Sequence, residues 1–269
     1  MTGTMLKQTF GADKPIIAMV HFPPLPGSST YDAAAGIEHV LDWVAADLKA
    51  LQEGGVDCVM FGNEGDRPYV LKATPESLAA MAAVIGMLKG EIRVPFGVNY
   101  LWDPVATVAL GVATGAAFAR EIFTGVYDSD MGLWQPDCAG AMRLRRELGR
   151  QDMKLMFNIN AEFAAPLGDR PIAVRAKSVA FSSLADVILV SGPMTGQAVV
   201  GSNLSDVKAA VGEVPVFANT GVSRDNVRDI LSVADGVVIG THFKLDGNTW
   251  NKVDPDRVKR FMDIATKLR

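Results

Sequence analysis

Val214-Pro215-Val216-Phe217-Ala218-Asn219-Thr220-Gly221-Val222-Ser223 and, after ten intervening residues, Ala234-Asp235-Gly236-Val237-Val238-Ile239-Gly240-Thr241 read as two strand-to-turn units. Each is a short apolar, β-branched run that ends in a glycine beside a hydroxyl residue. A short helix opening near Ser223 joins them, so the pair predicts neighbouring parallel strands with a helical crossover. Six more runs of the same kind lie upstream: Ile16–Val20, Asp57–Phe61, Val94–Val98, Phe118–Ile122, Lys154–Asn158 and Val187–Val190. Arg120 and Glu121 interrupt the fourth. Between runs the period changes to that of a helix: Ile37, Leu41, Val44, Leu48 and Leu51 share one face, as do Leu78, Met81, Ile85 and Leu88 after Thr74-Pro75-Glu76. Val258, Phe261, Ala265 and Leu268 follow Asp254-Pro255 and close the chain. Eight βα units in 269 residues predict an α/β fold, a single (β/α)8 TIM-type barrel over residues 1–269 with no linker. The alternative is a doubly wound open sheet, which carries a glycine-rich turn after its first strand. Here that strand runs into His21-Phe22-Pro23-Pro24-Leu25-Pro26-Gly27 instead.

Composition narrows the function classes. A net charge of −4 with dispersed basic residues offers no field for a nucleic acid. Cys58 and Cys138 are too few for a disulfide scaffold and lack the paired spacing of a zinc site, which suits reduced thiols in a cytoplasmic protein. Met1–Gly11 has no signal-peptide core, and apolar windows such as Leu78–Leu88 stop well short of the roughly 20 residues a membrane span needs. Neither export nor membrane insertion is expected.

In a (β/α)8 barrel the chemistry sits at the C-terminal ends of the strands. The first strand ends in His21, an acid/base candidate or a structural histidine. The second ends in Gly62-Asn63-Glu64-Gly65-Asp66-Arg67, where Glu64 and Asp66 are candidates for proton transfer or for holding a divalent cation such as Mg²⁺. The plainer reading is a solvated turn with an Asp66–Arg67 pair. Asn99 ends the third strand. Glu121, Asp128 and Asp130 lie at the fourth, where Phe123–Gly132 reads either as a closing lid or as a turn. Asn158 and Asn160, with Glu162 beyond them, follow the fifth strand; asparagines suit hydroxyl recognition rather than proton transfer. The sixth strand, Val187–Val190 continuing to Ser191-Gly192, carries no lysine, which disfavours imine chemistry. Gly221, Ser223, Gly240 and Thr241 form the expected phosphate cradle, since glycine allows close backbone approach. The Ser191-Gly192-Pro193-Met194-Thr195-Gly196 loop belongs to the same wall.

These stretches resemble the BtpA/SgcQ family across nearly the whole chain. The resemblance rests on His21 with Pro23-Pro24-Leu25-Pro26-Gly27, on Gly65-Asp66-Arg67-Pro68-Tyr69, on Pro95–Asn99 and Val190–Gly196, and above all on Ala234–Gly247. It implies a TIM-type barrel of the ribulose-phosphate-binding class. Two associations of different kinds come with it, photosystem I biogenesis and sugar operons. The chain is a divergent member: where the resemblance implies Asp and His on the fifth strand followed by Lys-His, it has Asn158, Asn160, Glu162 and Phe163. Gly62 stands where a glutamate is implied, and Glu121 where an asparagine is.

The expectation is therefore a barrel that binds a small phosphorylated sugar or sugar acid in an isomerase-, epimerase- or lyase-type step. Glu64, Asp66, Glu121 and His21 would move protons, and Asn99, Asp130, Asn158, Asn160, Ser191, Thr195 and Asn219 would hold the substrate. The alternative is a non-catalytic assembly or regulatory factor, with Phe22, Leu25, Trp102, Trp134 and Trp250 as an exposed partner surface. A homo-oligomer is compatible with either.

Overall fold

The computed structural model describes residues 2–192, 194–199 and 201–269, so Met1 and Pro193 of the stretches quoted above lie outside the described residues. The chain begins with helix α1 (Thr2–Phe10), then β1 (Ile16–His21), α2 (Gly36–Glu53), β2 (Cys58–Gly62), α3 (Pro75–Met87), β3 (Phe96–Asn99), α4 (Pro104–Thr114) and β4 (Phe118–Glu121). Next come β5 (Tyr127–Ser129), β6 (Gly132–Trp134), α5 (Cys138–Glu147), β7 (Lys154–Asn158), β8 (Ala164–Pro166), α6 (Ile172–Ser182) and β9 (Val187–Val190). It finishes with α7 (Gly201–Ala210), β10 (Val216–Ala218), α8 (Val227–Val233), β11 (Gly236–Ile239) and α9 (Pro255–Ala265).

The eight apolar runs become the eight strands of a closed parallel barrel, ordered β1-β11-β10-β9-β7-β4-β3-β2. Closure is made by β1, which registers Ile17 on Cys58 of β2 and Ile16 on Val237 of β11. Strand alternation divides the core in two. Outward residues such as Val20, Phe61, Val98 and Ile239 pack against the apolar helix faces, among them Val44, Leu48, Ile85 and Phe261. Inward residues Ile17, Met19, Cys58, Met60, Phe118, Met156, Leu189, Phe217 and Val238 fill the barrel. Its N-terminal end is plugged by α1, whose Leu6 and Phe10 join this inner cluster. The Phe10 ring lies 4.9 Å from Phe118 and 5.6 Å from Phe217. That end is sealed, and a cavity opens at the other.

Two expectations are corrected. Residues 123–132 are not a free lid or simple turn: β5 and β6 form a hairpin that β8 extends into a three-stranded antiparallel sheet. Tyr127 and Trp134 are buried beneath it with Leu101, Trp102 and Ile122, forming a third apolar cluster. The proposed partner surface is also absent, because Phe22, Leu25, Trp102 and Trp134 are all buried. Trp250 remains exposed at 43%, with the Arg67 guanidinium 3.5 Å above its ring. Thr74 stands at the N-cap of α3 without a side-chain bond, ahead of Pro75, whereas Asp254 accepts from the amides of Asp256 and Arg257 at the start of α9.

Candidate active site

A cavity of about 230 Å³ opens at the C-terminal ends of the strands. His21 ends β1, and its Nε2 lies 3.5 Å from Glu64 Oε1 in the loop after β2. Both are buried. Burial, followed by the charges of Lys244 and Arg120, holds the imidazole well below the usual histidine range. Burial likewise lifts the Glu64 carboxyl to about 7, against the opposing pull of Arg120. The contact is thus a neutral imidazole beside a carboxyl that titrates near neutrality, not a fixed ion pair. His21 Nδ1 and Glu64 Oε2 are both buried without a hydrogen-bond partner. Gly62 makes the placement possible: a Cβ there would sit 2.5 Å from Glu64 Oε2.

Arg120 and Glu162 share the wall. Arg120 follows Phe118 by two residues on β4, so both point into the barrel, and the guanidinium forms part of the cavity lining. Glu162, beyond β7, is buried and accepts a hydrogen bond from Thr195 Oγ1 at 2.6 Å; burial raises its carboxyl above the ordinary range. An aromatic wall completes this side. The Tyr69 ring meets Trp102 edge-on at 5.7 Å and approaches Phe163 at 6.5 Å, while its hydroxyl donates to the Glu64 backbone carbonyl at 3.1 Å.

The other side of the cavity is built by the last two strand ends. Gly221, Ser223, Gly240 and Thr241 all line it, as sequence reading places them, together with Thr220, His242 and Arg257. Gly221 has φ +64°, and a Cβ there would collide with the backbone of Gln197 and Ala198, so only glycine fits. Asn226 braces the turn by accepting from the Ser223 amide at 2.8 Å and donating to the Gly221 carbonyl at 2.9 Å. Arg257 Nε donates to the His242 carbonyl at 2.7 Å, which fixes this guanidinium on the cavity wall. Burial and then Arg257 hold His242 down at about 4.

Of the other residues expected to move protons or hold the substrate, Thr195 and Asn219 line the cavity. The rest are placed elsewhere, each for a visible reason. Asp66 is turned toward the proline-rich turn, where it accepts from the Leu25 amide at 3.2 Å and Ser77 Oγ at 2.8 Å. Glu64 and Asp66 therefore do not converge, and among the described residues no three His, Cys, Asp or Glu side chains gather as a metal site. Glu121 is buried outside the cavity wall; it accepts from Asn99 Nδ2 at 2.9 Å and from the Ile122 amide, and burial lifts its carboxyl to about 8. Asn158, Asn160 and Ser191 tie β7 to β9: Asn158 Nδ2 and Asn219 Nδ2 donate to Ser191 Oγ at 3.3 and 2.7 Å, and Asn160 Nδ2 donates to the Ser191 carbonyl at 2.8 Å. Asp130 is exposed at the tip of the β5–β6 hairpin. Sequence reasoning did not single out Arg120, His242 or Arg257 as cavity residues, and it set Trp102 on the wrong surface.

The BtpA family profile matches residues 12–267. The sgc region protein SgcQ of Escherichia coli is 47% identical over 98% of this chain and 98% of its own length. Photosystem I biogenesis protein BtpA of Synechocystis sp. is 31% identical over 97% of this chain and 91% of its own. Among solved structures, phosphoribosyl anthranilate isomerase from Thermus thermophilus superposes with a TM-score of 0.56 at 12% identity, covering 95% of this chain and all of that one. At that identity the likeness is one of fold.

Proposed function

Since the chain belongs to the BtpA family, we propose that it is an enzyme of that family acting on a small phosphorylated sugar or sugar acid by proton transfer at carbon, in an isomerase-, epimerase- or lyase-type step. One observation carries this reading: a single cavity joins a glycine- and hydroxyl-lined cradle flanked by Arg257 to a buried Glu64–His21 pair. A phosphate fits the cradle because backbone groups approach closely at Gly221 and Gly240, with Ser223 and Thr241 hydroxyls beside them and a cation at the rim. Glu64, with its carboxyl near 7, divides between its charged and neutral forms at neutral pH, as a group that takes and returns a proton must. In its ionised form it accepts the proton next to a substrate carbonyl or carboxyl, while Arg120 stabilises the negative charge that develops there. Neutral His21 stands against Glu64 to relay or donate the proton.

The chemistry does not run through an imine. Among the described residues no lysine lines the cavity, and the buried Lys244 is engaged by Asp47. A protein-assembly role, suggested by the name of the Synechocystis relative, loses support because Phe22, Leu25, Trp102 and Trp134, expected to form a partner surface, are buried and only Trp250 of that set is exposed. No helix among the described residues is long and apolar enough to cross a membrane.

Calorimetric titration with glucitol 6-phosphate and glucitol tests the phosphate half. The phosphorylated compound should bind at least tenfold more tightly, and Gly221→Ala should remove most of that difference by displacing the turn from the 197–198 backbone. Equal affinities for the two compounds would refute the cradle.

A further inference from the structure

The Arg120 guanidinium faces the cavity with an unmet bonding demand. The residue is only 7% exposed, and its Nε is a buried donor without an acceptor. Among the described residues the other fully buried Lys or Arg is Lys244, and it is paired with Asp47 at 2.6 Å. Among the described residues Arg120 enters no such pair. The two carboxyls that share its wall feel its charge without forming an ion pair with it: Glu64 lies beside His21, Glu162 accepts from Thr195, and burial raises both carboxyls. A buried guanidinium without a counter-charge is strongly destabilising, so a site that retains one is completed by an anion from outside.

We propose that Arg120 receives a carboxylate of the substrate, which makes the ligand anionic at two points: a phosphate on the Gly221, Ser223, Gly240 and Thr241 turns, and a carboxylate on Arg120. The substrate class is then a phosphorylated sugar acid rather than a neutral sugar phosphate. A guanidinium presents parallel N–H donors that match the two oxygens of a carboxylate. A second phosphate would bring a dianion beside Glu64 and Glu162 and meet about twice the repulsion from either when ionised, whereas a carboxylate is a monoanion. The position of the Glu64 carboxyl near 7 is consistent with the assignment, since a partly protonated neighbour compensates the Arg120 charge only in part. The inference builds on the proposed function for the phosphate end alone; the carboxylate end is tested separately.

The experiment is a calorimetric square with glucitol, gluconate, glucitol 6-phosphate and gluconate 6-phosphate, run on the full chain and on Arg120→Gln. Each acid should bind the unsubstituted protein at least tenfold more tightly than its alcohol. Arg120→Gln should abolish that preference while changing affinity for glucitol 6-phosphate less than threefold. Equal binding of acids and alcohols, or a preference that survives Arg120→Gln, overturns the assignment; so does no measurable binding of any probe. Should glucitol 1,6-bisphosphate bind more tightly than gluconate 6-phosphate, the second anion is a phosphate and the sugar-acid class is wrong. Failure of the phosphate reading looks different: phosphorylated and unphosphorylated probes would bind alike while acid and alcohol still differed. If Arg120→Gln does not fold, Arg120→Lys, which keeps the charge but loses the fork, should retain only part of the preference, and the unsubstituted protein still decides the question.

Discussion

Asp47→Ala is expected to lower folding stability by about 3–5 kcal/mol, the range for removing one partner of a buried ion pair. Asp47 on α2 is 1% exposed and Lys244, just beyond β11, is fully buried. One carboxylate oxygen accepts from Lys244 Nζ at 2.6 Å, and the other from the Val253 amide at 2.8 Å. The side chain thus ties α2 to the return path that leads into α9. Its removal leaves an ammonium with no counter-charge and a buried amide with no acceptor, neither of which water can reach without opening the packed layer. The double variant Asp47→Leu/Lys244→Met, which removes both charges, should recover a large part of the loss. Urea denaturation of the three proteins measures this. A single-variant loss below about 1 kcal/mol would show that the pair is solvated in solution. Because Lys244 also helps to hold His21 neutral, the double variant should raise the pKa of the His21 ring, which NMR titration reads.

Glu64→Gln is expected to reduce proton exchange between solvent deuterium and a bound phosphorylated sugar acid by roughly 10²–10⁴-fold, the usual contribution of a positioned acid/base group. The amide is nearly isosteric, so binding of glucitol 6-phosphate should hardly change. With Glu64 acting as base, exchange in the unsubstituted protein should rise with pH while the carboxyl deprotonates and level off above about 7. The same group has a signature in stability. The folded state holds its proton above the pH at which the unfolded chain has released it, so the proton-linked stabilisation is complete below about pH 4.3, where an unfolded glutamate titrates, and is lost as pH rises through about 7. Glu64→Gln should flatten that part of the decline, while Glu121, whose carboxyl lies at about 8, continues it to higher pH. Unchanged exchange in Glu64→Gln would remove the residue from the mechanism.

Much of this architecture was legible because the physics behind it is periodic. Barrel strands buried on both faces read as continuous apolar runs, and the helices between them as stripes of spacing three and four. The turns at Gly221 and Gly240 were legible for a different reason, since a residue type reports a backbone requirement directly. Three-residue strands such as β5, β6 and β8 carry no period, and their pairing across more than thirty residues of chain is set by the apolar cluster under them. Arg120 was visible, but it counted as a flaw in the fourth strand. Two-residue alternation from Phe118 carries the better signal, because it places a charge inside the barrel, where only function or a partner would keep it. Asp66, Asn158 and Asn160 mislead for the opposite reason: polar residues at strand ends also tie strands and loops together, and only geometry separates that duty from ligand contact.

We propose above that the turns after β10 and β11 hold a phosphate, and crystallography tests this most directly. A crystal soaked with millimolar glycerol phosphate should show the phosphoryl group bounded by Gly221, Ser223, Gly240 and Thr241, with its glycerol end toward Glu64 and Arg120. Clear density for those turns with no anion between them would refute phosphate binding there.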